Sequence, residues 1–266
     1  MGKAIYKPKI GSPSWEYSEF ICNFFKGCSC DCSYCMNKRW GWGTVPTLKK
    51  CFKDKLHALE VFEKELEANL PELQKNGMLF SMSTDPFLSE TTDITFKAMY
   101  RAAMFNVKSK ILSKKGDFAD FIIRFSTKNS IFELQRYWAF GFTLTNHDEM
   151  ESGASTNEER IEAMKKLHDA GFKTWCSLEP VIAEADSLDI VKRTRDFCDL
   201  YKVGLLSGKK YDKDGLLWLM TGIQHHVSRG IGAKIYFKDS FLKAANINRE
   251  DLPSCCVGRD YNLFNN

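Results

Sequence analysis

Residues 27–35 of this 266-residue chain, Gly27-Cys28-Ser29-Cys30-Asp31-Cys32-Ser33-Tyr34-Cys35, hold four of its ten cysteines. Within them, only Cys28, Cys32 and Cys35 form a C-x3-C-x2-C arrangement. Three thiolates on one short loop can bind three irons of a cubane cluster and leave the fourth iron open, whereas an electron-carrying ferredoxin supplies four cysteines per cluster. The spacing therefore predicts a 4Fe-4S cluster held by these three cysteines, with one iron free to bind another molecule.

The composition, 44% hydrophobic and 27% charged, is typical of a packed globular domain rather than a disordered or fibrous chain. No apolar run approaches the roughly 18 residues of a membrane span, and residues 1–4 lack the apolar stretch of a signal peptide. We therefore expect a cytoplasmic protein with no membrane partner. Its cysteines should then be ligands or thiols rather than disulfides, because the cytosol keeps thiols reduced.

The rest of the chain alternates between strand and helix patterns. Short apolar or period-2 runs predict strands at 19–25, 78–83, 109–113, 137–145, 172–181 and 200–206. Helical spacing predicts helices at 53–70, 94–106, 118–126, 156–171 and 187–198. This alternation favours an α/β fold of parallel strands, a partial (β/α)6 TIM-like barrel. We expect a single domain over residues 1–266, with a barrel core at about 19–206 and a C-terminal extension at about 207–266 that caps or completes it.

The cysteine spacing after a first strand, with the aromatic Tyr34 before the last cysteine, resembles the signature of the radical S-adenosylmethionine (SAM) superfamily. The resemblance implies that the cofactors are a 4Fe-4S cluster and SAM, whose amine and carboxylate bind the open iron. It also implies that an electron from the cluster cleaves SAM to methionine and a 5′-deoxyadenosyl radical. An external one-electron reductant such as flavodoxin or ferredoxin would supply that electron, and the protein would position the substrate hydrogen.

Within the superfamily, residues 23–181 look most like the spore photoproduct lyase group. Ser83-Thr84-Asp85-Pro86 resembles the group's Ser/Thr-Asp pair near SAM, and Ser113-Lys114-Lys115 resembles its Thr/Ser-Lys, whose lysine neighbours the SAM carboxylate. Thr143-Leu144-Thr145 and Glu179-Pro180-Val181-Ile182 end the next two predicted strands, where relatives contact the methionine or ribose and the adenosine. The SAM-binding residues implied by the resemblance are Tyr34 beside the adenine, Thr84, Asp85, Lys114, Thr143 and Glu179.

Each of these side chains also has a purely structural interpretation. Asp85 could cap the following helix, Lys114 could be a solvated loop lysine, and Thr143 could be a plain β-former. Arg160 matches a position that is often basic in the group, but an arginine on a helix surface is the commoner explanation.

Two positions depart from the family pattern. Spore photoproduct lyases carry a hydrogen-donating cysteine two residues before their Ser/Thr, and Met82 stands at that place here. Because a thioether cannot donate hydrogen as a thiol does, repair of thymine dimers is less favoured than another radical reaction. Cys30 is extra to the signature and could be an additional thiol, an alternative ligand or an incidental residue.

Two other classes of protein stay open at this point. One is an iron-sulfur electron-transfer protein that does not turn SAM over. The other is a zinc-stabilised nucleic-acid-binding module, although four cysteines on one tight turn are sterically awkward for a tetrahedral ion.

The substrate does not follow from the sequence. The resemblance and the formal charge of +4 favour nucleic acid or a nucleotide. Trp40, Trp42 and Phe87 lie near the predicted site and could stack on a base, although aromatic residues in a core are the commoner case.

Overall fold

The computed structural model describes residues 3–129 and 133–264. Its strands are β1 Ile5–Tyr6, β2 Ile21–Cys22, β3 Phe25–Lys26, β4 Thr47–Leu48, β5 Met78–Phe80, β6 Ser109–Ser113, β7 Trp138–Thr143, β8 Lys173–Val181, β9 Leu200–Leu205 and β10 Lys234–Phe237. Its α-helices are α1 Met36–Arg39, α2 Lys55–Ala68, α3 Leu70–Asn76, α4 Thr92–Met104, α5 Ala119–Lys128, α6 Asn157–Asp169, α7 Glu184–Thr194, α8 Lys213–Val227 and α9 Asp239–Ala245.

Eight strands form one sheet in the order β1-β2-β5-β6-β7-β8-β9-β10. The edge strand β1 is antiparallel to β2, and the other neighbouring pairs are parallel. This confirms the predicted α/β fold of parallel strands. The sheet has seven parallel strands rather than six, because β10 in the C-terminal extension pairs with β9. The extension therefore completes the sheet.

The first predicted strand, 19–25, is split in the structure. The Asn23 side-chain oxygen accepts hydrogen bonds from the Met82 and Ser83 amides, at 2.9 and 3.2 Å, and the Asn23 backbone amide donates to the Ala4 carbonyl. These bonds fix the backbone where it leaves β2. The next residues, β3, pair with β4 in a separate two-stranded ribbon.

The predicted helix 53–70 ends two residues early, and a second helix, α3, follows it. Pro71 lies in the first turn of α3, where its missing amide hydrogen is tolerated, but it could not continue α2. The predicted cap at Thr156 is present: the Thr156 hydroxyl accepts from the Glu159 amide at 3.2 Å, and the Glu159 carboxylate accepts from the Thr156 amide at 2.7 Å.

The interior of the sheet is filled by large side chains whose packing requires small neighbours. The Trp175 indole of β8 lies against Gly141 of β7, where a Cβ atom would fall 2.1 Å from the ring. The parallel strands end at the same edge of the sheet, which is where active sites form in barrel enzymes. No helix among residues 3–129 and 133–264 is long and apolar enough to cross a membrane.

Candidate functional site

The cluster loop, residues 27–35, faces the ends of three parallel strands across one cavity of about 150 Å³. The structure thus brings Cys28, Cys32 and Cys35 together with four of the six residues predicted to bind SAM. The cavity is lined by Cys28, Cys30, Cys32 and Cys35 from the loop, Ser81, Met82, Thr84 and Asp85 after β5, Leu112, Ser113 and Lys114 at the end of β6, and Thr143 at the end of β7, among others.

The cysteines of the loop are free thiols in different environments. A hydrogen bond from Cys30 lowers the pKa of Cys28, so its thiolate is favoured. Burial raises the pKa of Cys32 to about 11. A coordinating metal deprotonates a thiol outright, so a bound cluster would stabilise the Cys32 thiolate that burial alone disfavours. In the described part of the chain, no group of three or more Cys, His, Asp or Glu side chains is arranged to hold a single metal ion. A cubane cluster instead gives each thiolate its own iron.

Asp85 joins the ends of β5 and β6. Its buried carboxylate accepts hydrogen bonds from the Lys114 amide at 2.6 Å, the Phe87 amide at 2.9 Å and the Ser113 hydroxyl at 2.8 Å. Burial raises the pKa of Asp85, and the two amide hydrogen bonds oppose that rise. The next helix begins only at Thr92, so Asp85 is not its cap. Its contacts fix the backbone from which the Lys114 side chain extends.

Lys114 is largely buried rather than solvated. Its ammonium lies 3.0 Å from the Tyr34 hydroxyl and 3.2 Å from Glu151 Oε1, with only 17% of the side chain exposed. Burial opposes its charge, but Tyr34 and Glu151 outweigh this and raise the pKa of Lys114 above its ordinary value. The Tyr34 hydroxyl also donates to Glu151. Lys114 is therefore a permanent cation between the cluster loop and the end of β6.

Glu151 and Arg160 complete this arrangement, and neither was identified as a site residue from the sequence. Arg160 is fully buried, which corrects the expectation of a helix-surface arginine. Its guanidinium binds Glu151 and donates to the Thr143 carbonyl at 2.6 Å. Together Tyr34, Lys114, Glu151 and Arg160 form what we call the Glu151 network. Its sequence signal was weak, because Glu151 lies in an irregular loop and an arginine on a polar helix is usually exposed.

The loop that carries Glu151 also supports the cluster loop through its backbone. The Ser33 amide donates to the Met150 carbonyl at 2.8 Å, and the Gly153 amide donates to the Cys30 carbonyl at 3.1 Å. A Cβ atom at Gly153 would lie 1.8 Å from the Ser29 carbonyl oxygen. Only glycine allows this close approach.

Thr84 presents an unsatisfied polar group at the cavity wall. Its hydroxyl is buried and has no hydrogen-bond partner among the residues that the structure describes. Buried hydroxyls in proteins are normally hydrogen-bonded, so this one suits a polar ligand. Thr143 lines the same cavity and is 5% exposed.

A second, larger cavity of about 500 Å³ adjoins the first and shares Asn37, Met82, Leu112 and Thr143 with it. Glu179 of β8 lines this larger cavity rather than the cavity of the cysteines. Its carboxylate accepts hydrogen bonds from the Tyr17 hydroxyl and from the Lys238 ammonium, the latter at 2.7 Å.

The three aromatic residues near the site are placed differently. Trp40 and Trp42 line the larger cavity, with ring centroids 4.9 Å apart, and Trp40 is 57% exposed. Phe87 is instead 3% exposed and stacks on Phe118, with centroids 3.7 Å apart. Phe87 is therefore a core residue and not a surface for a base.

Comparison with known proteins agrees with this geometry. Residues 22–198, about two thirds of the chain, match the model of the Radical SAM superfamily. The chain belongs to the radical SAM superfamily. Radical SAM enzymes use a 4Fe-4S cluster and SAM, so these are its cofactors.

Individual relatives are distant. An uncharacterised protein of Methanocaldococcus jannaschii is 24% identical over 214 residues, which cover 72% of each chain. SuiB of Streptococcus suis, solved with SAM bound, has a TM-score of 0.54 at 13% identity and covers 83% of this chain. A radical SAM methyltransferase of Sphaerobacter thermophilus has a TM-score of 0.51 at 14% identity, covering 85% of this chain and 68% of its own. This chain spans 50% of SuiB. At these identities the structural likeness shows a shared radical SAM fold.

Proposed function

We propose that this chain cleaves SAM reductively at a 4Fe-4S cluster bound by Cys28, Cys32 and Cys35, and that the 5′-deoxyadenosyl radical abstracts hydrogen from a substrate in the larger cavity. The observation that carries the proposal is the single cavity shared by these three cysteines and the ends of β5, β6 and β7. The family supplies the class of chemistry, and the cavity supplies four of the residues proposed to bind SAM, Thr84, Asp85, Lys114 and Thr143.

Two side chains suit the polar end of SAM directly. Lys114 offers an ammonium for the carboxylate, and the buried Thr84 hydroxyl offers a group that still needs a partner. Asp85 acts through Lys114, whose amide it binds.

The other assigned residues concern the nucleoside end of SAM. Thr143 borders both cavities and suits the methionine or ribose portion. Tyr34, fixed by Lys114 and Glu151, suits a position beside the adenine. The family resemblance assigns Glu179 to the region beneath the adenosine, and its side chain borders the larger cavity.

The larger cavity favours an enzyme over a protein that only carries electrons. An electron carrier has no use for about 500 Å³ of space beside its cluster, whereas ligand sites commonly have volumes of this order. An external one-electron reductant such as flavodoxin or ferredoxin would supply the electron. The type of reaction, lyase or group transfer, stays open.

A nucleic acid or nucleotide is the substrate class that we favour. Lys26 is exposed, and its ammonium lies 5.0 Å from the centre of the Trp42 ring, which lines the larger cavity. Exposed aromatic rings beside cations are the pattern on which single-stranded nucleic acids stack.

The test is anaerobic reconstitution with iron and sulfide, followed by SAM and dithionite, with 5′-deoxyadenosine measured by chromatography. We expect wild-type protein to form it and a Cys32→Ala variant to form none. About four irons per chain without 5′-deoxyadenosine would favour electron transfer instead, and zinc without iron would refute the proposal.

A further inference from the structure

The charged groups that line the larger cavity are Glu179 and Lys238, and they are not equally available to a ligand. The Lys238 side chain is only 2% exposed, whereas that of Glu179 is 23% exposed. The charge that the cavity presents is therefore a carboxylate, although an ammonium lies next to it.

The Lys238 ammonium is buried between two carboxylates. It donates hydrogen bonds to Glu179 Oε1 at 2.7 Å and to the Pro13 carbonyl at 3.3 Å, and it lies 3.4 Å from Glu16 Oε2. Because its side chain is 2% exposed and its charge is already balanced by these carboxylates, it does not present a cation to an incoming anion. Glu16 is likewise occupied, since it also accepts from the Tyr236 hydroxyl at 3.0 Å and the Asp239 amide at 2.8 Å.

Glu179 keeps free acceptor capacity. A carboxylate has about four lone-pair positions, and Glu179 uses one on each oxygen, for Tyr17 and for Lys238. These two bonds fix its orientation and leave further lone pairs for a donor in the cavity. The cavity wall also includes the apolar or aromatic side chains Met36, Trp40, Trp42, Met82 and Leu112.

We propose that the larger cavity binds the reacting part of the substrate and that Glu179 accepts a hydrogen bond from a protonated amine, or from an uncharged N–H or O–H group, on an apolar body. A negatively charged group is excluded from this cavity, because it would face the Glu179 carboxylate, and Lys238, the cation among the described residues that line the cavity, is buried in its own ion pairs. A phosphate of a nucleotide would thus lie outside, with its base inside. The role as substrate site rests on the proposed function, since the cavity adjoins the cluster through Met82 and Thr143.

The test uses three molecules of one shape and different charge: 2-phenylethylamine, 2-phenylethanol and phenylacetate. Their dissociation constants are measured by titration calorimetry on the reconstituted, SAM-loaded, unreduced protein under anaerobic conditions. We expect the amine to bind on the order of tenfold more tightly than the alcohol, because its hydrogen bond is charge-assisted. Phenylacetate should bind most weakly.

Two variants assign the preference to Glu179. Glu179→Gln keeps the size and removes the charge, so the amine should lose its advantage over the alcohol. Tyr17→Phe keeps the carboxylate, so the order of the three molecules should stay. If either variant fails to fold, the order measured on wild-type protein still decides the question.

Several outcomes would overturn the inference. Phenylacetate binding as tightly as the amine would do so, as would the absence of binding by all three molecules at millimolar concentration. Glu179→Gln could instead leave the order of the three affinities unchanged and raise the dissociation constant of SAM more than roughly tenfold. Glu179 would then bind the cofactor rather than the substrate. None of these readouts requires SAM cleavage, so failure here is distinct from failure of the 5′-deoxyadenosine assay.

Discussion

Glu151 and Arg160 form an ion pair in which both side chains are fully buried. The pair joins α6 to the cluster loop, because Glu151 also accepts from Tyr34 and binds Lys114. A buried ion pair adds little stability over apolar packing, but removing one partner leaves an uncompensated charge in the interior. The Glu151 network is thus a place where one substitution should affect both folding and the site.

Glu151→Gln should lower the free energy of unfolding by about 3 kcal/mol, because the buried Arg160 loses its buried carboxylate partner and keeps only the half-exposed Asp148 at 3.4 Å. Chemical denaturation of the cluster-free protein measures this. Asp169→Asn is the matched control: it breaks the exposed pair with Lys165 and should cause no measurable change. Equal changes in the free energy of unfolding for the two substitutions would show that the Glu151 pair contributes no more to stability than a surface pair.

The same carboxylate predicts a dependence of stability on pH. Burial opposes its ionisation, but Lys114 and Arg160 outweigh burial and lower the pKa of Glu151 to about 2, from 4.5. Because the pKa is lower in the folded state, ionised Glu151 stabilises the folded protein, by roughly 3 kcal/mol. This contribution to the free energy of unfolding is complete above pH 4.5 and is lost as the pH falls from 4.5 towards 2. Denaturation of the cluster-free protein at pH 7, 4.5 and 3 should show the gap between wild type and Glu151→Gln narrowing below pH 4.5. A constant gap would contradict this.

Gly153→Ala should impair cluster binding without unfolding the barrel. The new Cβ would lie 1.8 Å from the Ser29 carbonyl and would displace the cluster loop. We expect a roughly tenfold or greater loss of cluster affinity, as for other substitutions that displace metal ligands indirectly. Iron and sulfide per chain after desalting measure it. Gly215→Ala in α8, where the nearest atom lies 3.5 Å away, should retain wild-type iron.

Lys114→Met should raise the dissociation constant of SAM by roughly tenfold or more, because a charge-assisted contact to the carboxylate is lost. Lys115→Met is the control, since Lys115 lines a different cavity. Equilibrium binding of SAM to the reconstituted protein measures both. If the two variants bind SAM equally well, the cation that faces the carboxylate is not Lys114.

The sequence predicted those features that depend on local pattern. Strand β6 has the predicted bounds, and the cap of α6 at Thr156 followed from short-range rules. The spacing of Cys28, Cys32 and Cys35 predicted the family because it is specific to one way of binding a cluster.

Features that depend on long-range contacts were not predicted. Strand β10 has a short apolar pattern that is recognisable as a strand of the sheet only from its pairing with β9. Glu151 is a polar loop residue of ordinary appearance, and Arg160 only matched an often basic position of the family; the folded chain is what places the two together. Phe87 could not be separated from Trp40 and Trp42 by sequence, since burial distinguishes them.

The most direct test of the central claim is the electron paramagnetic resonance spectrum of the reduced, reconstituted cluster before and after SAM is added. If Cys28, Cys32 and Cys35 hold the cluster and leave one iron open, SAM should change the spectrum of wild type and of Cys30→Ala alike. Alanine at Cys28, Cys32 or Cys35 should remove that response. A wild-type spectrum that SAM leaves unchanged, or a cluster lost in Cys30→Ala but kept in Cys32→Ala, would contradict the account.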